Sequence, residues 1–125
     1  MTNTKNKTVA VNFLRMCVGG NVRSAYELYT TENFIHHNPY FKGDKAALIC
    51  AMEESAQQGP NKTLDVKKVL EDGMYVAVHS HITLPNNEPG IAVVHICRFE
   101  NEYIAELWDI AMIIPENSPN ENGIF

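Results

Sequence analysis

Met74-Tyr75-Val76-Ala77-Val78-His79-Ser80-His81-Ile82-Thr83-Leu84 is the stretch that decides the fold. Its residues alternate with period two. Tyr75, Ala77, His79, His81 and Thr83 therefore share one face of a strand, and Val76, Val78, Ser80 and Ile82 share the other. Asp72-Gly73 immediately upstream is a hairpin turn, which makes residues 63–70 the preceding strand. Downstream, Pro85-Asn86-Asn87-Glu88-Pro89-Gly90 turns the chain into a strand over 91–99, with Ile91, Val93, His95, Cys97 and Phe99 on one face. Glu100-Asn101-Glu102 then turns it into a last strand over 103–114, where Leu107, Asp109 and Ala111 oppose Glu106, Trp108 and Ile110. A turn symmetric about Asn87 sets His79 opposite His95.

Before Asn61 the period is 3.6. Ala10, Phe13, Leu14 and Cys17 mark one helix face, and Gly19-Gly20 ends that helix. Asn21 is placed to cap a second helix carrying Val22, Ala25, Tyr26 and Tyr29. Pro39 keeps the segment 34–40 out of a helix. Gly43-Asp44 starts a third helix with Leu48, Met52 and Ala56 inward, and Gln57-Gln58-Gly59-Pro60-Asn61 stops it. Helices first and hairpin-linked strands afterwards mean α+β. The expected architecture is one domain over 1–125: a cone-shaped, curved, mostly antiparallel sheet with three N-terminal helices enclosing a cavity. The tail from Pro115 onward reads as irregular.

Composition narrows the partners. Net charge is −5 and the basic residues are scattered, which excludes a nucleic-acid footprint. The polar opening Met1-Thr2-Asn3-Thr4-Lys5-Asn6-Lys7 has no signal-peptide core, and no apolar run is long enough to span a membrane. Cys17, Cys50 and Cys97 lack C-x-x-C spacing and read as reduced thiols of a cytoplasmic protein. Four alternating strands leave an outer sheet face, bearing Val76, Val78, Ile82, Val94 and Ile96 or its counterpart, that three helices cannot cover. A homodimer through the sheet is expected.

Asp109 stands between Trp108 and Ile110 in the last apolar run. A carboxylate taken from water needs partners or a proton. It either ties the last strand to its surroundings or serves as a general acid/base in a cavity. His36-His37-Asn38-Pro39 is the second polar knot, and the turn after His37 favours His37 as the inward-facing ring. Asn38, Tyr40, Trp108, His79, His81 and His95 are the expected cavity lining. His79, His81 and His95 are also the one metal-like pattern, a three-nitrogen face if the two strands bring them together. The expectation is nonetheless that no metal or organic cofactor is used. Arg98 and Glu106 flank a tight turn and are expected to form a cross-strand ion pair.

The order of elements, with Phe34-Ile35-His36-His37-Asn38-Pro39, Ala77-Val78-His79-Ser80-His81 and Arg98-Phe99-Glu100-Asn101-Glu102-Tyr103-Ile104-Ala105-Glu106-Leu107-Trp108-Asp109, resembles the SnoaL-like, polyketide-cyclase-like proteins of the nuclear transport factor 2-like superfamily. The segment from Ile114 to Phe125 also matches. The resemblance covers nearly the whole chain and points to a subgroup described as aldol-condensation enzymes. It implies a cone-shaped fold, dimerisation through the sheet, and cofactor-independent acid/base chemistry on an enolisable carbonyl compound. The catalytic aspartate it implies is Asp109, with His37 as partner and a small hydrophobic carbonyl-type ligand of the cyclase, aldol-condensation or isomerase type. A non-catalytic binding module for a hydrophobic small molecule, and a metal enzyme built on His79, His81 and His95, are the alternatives. Leu107, Met112 and His95 stand where the subgroup has His, Gln and Asp, which implies a less polar cavity.

Overall fold

The computed structural model describes residues 4–125; the opening Met1-Thr2-Asn3 lies outside the described residues. The element order is α1 (Thr4–Val18), α2 (Val22–Tyr29), β1 (Thr30–His36), α3 (Lys45–Gln58), β2 (Thr63–Asp72), β3 (Tyr75–Thr83), β4 (Ile91–Glu100) and β5 (Tyr103–Ile113). The five strands form one curved, unclosed sheet in the order β1-β5-β4-β3-β2. β1 runs parallel to β5, and the other pairs are antiparallel. This is the α+β architecture anticipated from the two periods. Among the described residues no helix is long and apolar enough to cross a membrane.

The local reasons are legible in the chain. Asp44 caps α3, its side chain accepting from the Ala47 amide at 3.1 Å. Asn21 starts α2 but makes no side-chain cap bond, unlike the expectation. α2 ends where Thr30 turns extended and its hydroxyl donates to the Tyr26 carbonyl at 2.6 Å. From there the chain becomes β1, an edge strand that pairs with β5 rather than running on as a loop. Gly90 closes the β3–β4 turn at φ +89°, where a Cβ would stand 2.3 Å from the Ile82 carbonyl oxygen. Only glycine fits there.

The helices pack on the concave face. Val76, Val78 and Ser80 of β3 and Cys97 of β4 are fully buried beneath Phe13 and Tyr26. Phe13, Tyr26 and Phe34 meet edge to face, with ring centroids 5.0 and 5.4 Å apart. Val76 and Val78 thus belong to the core and not to the outer face proposed for them. The outer face carries Ala77 opposite Ile96 and His79 opposite Val94.

Candidate functional site

The core stops short of the β3–β4 turn. There the concave face of the sheet and the helices part around a cavity of about 610 Å³. Its floor is the inward row of β4 (Ile91, Val93, His95) together with Asp109 and Ala111 of β5. Met52, Ser55 and Ala56 of α3 form one wall, and the loop His37-Asn38-Pro39-Tyr40 forms the rim.

Asp109 and His95 are direct cross-strand partners on this floor. Alternation puts each on the inward face of its strand, two positions from other inward residues, and the β4–β5 register sets them opposite. Asn38 donates its amide to Asp109 Oδ2 at 3.1 Å. The loop holds that amide in place: Asn38 Oδ1 accepts from the Tyr40 amide at 3.0 Å, and the Asn38 backbone N–H donates to His36 Nδ1 at 3.1 Å. No ion pair among the described residues includes Asp109. His95 Nδ1 is buried without a partner among the described residues. Burial pulls the imidazole from 6.5 down to about 4, with Asp109 opposing the shift. The ring is therefore neutral near pH 7, and a neutral imidazole carries one N–H donor and one acceptor nitrogen.

The histidine knot departs from the expectation in its bonding. His36 is buried outside the cavity lining, its Nε2 donating to the Lys42 carbonyl at 2.7 Å, and His37 is the one of the two that lines the cavity. His37 sits half-exposed at the rim, where its Nε2 meets Glu106 Oε2 at 2.6 Å and its ring stacks on Trp108, 4.8 Å away and 8° from parallel. Its backbone N–H continues the ladder to the Leu107 carbonyl at 3.0 Å. His37 is therefore bonded to Glu106 and not to Asp109. The expected Arg98–Glu106 pair is present at 2.8 Å. Arg98 first, and His37 second, hold the Glu106 carboxyl below its usual range.

Trp108 points to the outer face, opposite Ile96, so it does not shape the cavity wall. His79 and His81 also lie on the outer face, with ring centroids 5.4 and 5.0 Å from Phe125 of the folded-back tail. His81 Nε2 donates to the Pro89 carbonyl at 2.7 Å. His79 is opposite Val94, and His95 projects through the other side of the sheet. The three rings cannot share one ion, and among the described residues no group of three or more His, Cys, Asp or Glu is arranged to hold a metal. Leu107 is core and Met112 is exposed on the outer side, so of the three departures only His95 changes the cavity. Asn38 and Tyr40 line the cavity, and Asn38 also holds Asp109. Lys62 and Ser55, which the sequence patterns did not single out, line it as well.

No protein-family model matches the chain, and no curated protein matches it. Solved structures do. AclR of Streptomyces galilaeus, a proposed hydroxylase, superposes with a TM-score of 0.75 at 16% identity, covering 91% of this chain and 83% of its own. A proposed isomerase of the SnoaL-like family from Agrobacterium tumefaciens gives 0.70 at 13%, covering 87% and 98%. A proposed SnoaL-like polyketide cyclase from Jannaschia gives 0.71 at 15%, covering 86% and 85%. The chain has the nuclear transport factor 2-like fold. At these identities the likeness is one of fold, and fold alone does not carry an activity.

Proposed function

We propose that the cavity binds a small, mainly apolar carbonyl compound and moves a proton on the carbon beside the carbonyl. The observation that carries this reading is the facing pair on the floor. Asp109 is a carboxylate held by one neutral amide, and His95 is a neutral imidazole whose buried Nδ1 has no partner among the described residues. Asp109 Oδ1 takes the proton from carbon. The C–H electron pair becomes the C=C bond, and the carbonyl π pair moves onto oxygen. The His95 N–H donates to that oxygen as its charge develops, a role suited to an uncharged donor in a dry site. Return of the proton to another carbon gives an isomerase, and attack of the enolate on a second carbonyl gives an aldol or cyclase product. Asn38 fixes the carboxylate, and His37 shapes the rim. Incubating the protein in deuterium oxide with a panel of apolar ketones tests the reading: deuterium should enter beside the carbonyl of at least one ketone faster than in buffer.

A binding module is the second reading, favoured by the largely apolar lining of Val18, Met52, Ile82, Ile91 and Val93. It predicts saturable ketone binding with no exchange above buffer. For assembly we propose a homodimer through the outer sheet face, where Tyr75, Ile110 and Met112 are exposed beside Val94 and Ile96. Light scattering should give twice the 14.1 kDa chain mass. A 14.1 kDa particle at micromolar concentration contradicts it.

A further inference from the structure

The cavity has a second polar feature, remote from Asp109. Lys62 follows the α3 stop and precedes β2, and among the described residues it is the one Lys or Arg that lines the cavity. Its ammonium donates to Ser55 Oγ at 3.3 Å, and among the described residues no carboxylate pairs with it. Its stem is not a free surface chain. It lies over Gly59, where an added Cβ would stand 3.1 Å from Lys62 Cε and 3.3 Å from Nζ. The missing side chain at Gly59 makes the room in which the ammonium is held against α3. The chain as a whole carries −5, so this cation is not part of a general basic surface.

We infer that Lys62, seated over Gly59 and beside Ser55, receives an anionic head group, and that the natural ligand is an apolar oxo acid with its carbonyl at Asp109 and His95 and its carboxylate at Lys62. The spacing supports an elongated molecule. Lys62 adjoins Thr63, which pairs with Thr83 in the same end of the sheet as the Ile82–Ile91 pair. Ile91 and His95 are four residues apart on β4, about 13 Å along the strand. Ile91, Val93 and Met52 line the stretch between, which suits a methylene chain. A carboxylate meeting a lysine with one neutral hydrogen-bond partner gains a charge-assisted bond without breaking an ion pair.

This inference rests on the cavity being the ligand site of the proposed function, and not on Asp109 performing chemistry. The probes are 8-oxononanoate, a methyl ketone with a terminal carboxylate, and its uncharged methyl ester, titrated by calorimetry. The acid should bind the full-length protein at least about tenfold tighter than the ester, the usual effect of a charge-assisted bond. Added salt should weaken the acid and leave the ester unchanged. Lys62→Met should bring the ratio close to one, with circular dichroism confirming the fold. Gly59→Ala should reduce the ratio in part by displacing the ammonium. Asp109→Asn should keep the ratio even if it abolishes exchange, which separates failure of this inference from failure of the acid/base reading. Equal affinity for acid and ester, a preference for acid that survives Lys62→Met, or binding of neither probe overturns the inference.

Discussion

His95 offers a quantitative check on the site's electrostatics. Its folded pKa is lowered from 6.5 to about 4, chiefly by burial, with the facing Asp109 pulling the other way. The unfolded chain therefore takes up the proton first. Stability from the neutral imidazole is fully present above pH 6.5, is lost as pH falls through the window to about 4, and is gone below it. A shift of this size corresponds to about 3 kcal/mol across the window. Replacing the ring by a neutral amide, His95→Gln, removes that linkage while keeping a hydrogen-bonding group in the cavity. Urea unfolding of both proteins at pH values spanning the window isolates the term, because the carboxylates common to both cancel in the difference. Wild type should lose about 3 kcal/mol more than His95→Gln on acidification. Parallel curves, or an imidazole that titrates at or above 6.5 by NMR, refute the burial argument and with it the neutral donor.

Further outcomes follow from packing and exposure. Phe13→Ala removes a fully buried ring wedged edge-on against Tyr26 and should cost about 3–5 kcal/mol in urea unfolding. Gly90→Ala drives a methyl into the Ile82 carbonyl and the His81 ring and should cost at least about 1–3 kcal/mol by the same measurement. Glu106→Ala removes the acceptor that Arg98 and His37 share. Stability should fall by only about 1 kcal/mol or less, while the near-ultraviolet circular dichroism of Trp108 weakens as the stacked His37 ring is released. A thiol reagent on native protein should modify the exposed Cys50 alone by intact mass. Cys17 and Cys97 are buried and their thiols are pushed up in pKa by burial.

Alternation was a sound guide to faces. Within β5 it set Asp109 and Leu107 apart from Trp108, and within β3 it set His79 and His81 together, because a period of two is local and strict. Alternation does not relate one strand to the next; register does, since antiparallel partners share a face, and a turn symmetric about Asn87 sets His79 on the side of His95. In the structure Ile82 stands opposite Ile91, which centres the turn between Asn86 and Asn87 rather than on Asn87. β1 was harder to read. Thr30-Thr31-Glu32-Asn33-Phe34-Ile35-His36 has no clean alternation, and it becomes a strand through parallel pairing with β5, some seventy residues away in sequence. The same distance hid the Asn38–Asp109 bond and the pairing of His37 with Glu106 instead of Asp109. Both depend on how the rim loop folds back on itself through Lys42 and Tyr40. Lys62 escaped notice because its position rests on the emptiness at Gly59, which no periodicity records.

As proposed, Asp109 is the base of an acid/base site. The most direct test measures deuterium incorporation beside the carbonyl of a bound ketone by proton NMR, in wild type and in Asp109→Asn, with ketone affinity measured on the same samples. Asparagine keeps the shape and the contact with Asn38 but cannot accept the proton. The exchange rate should fall by about 10²–10⁴-fold in Asp109→Asn at nearly unchanged affinity. Equal exchange rates in the two proteins, with both binding the ketone, contradict it.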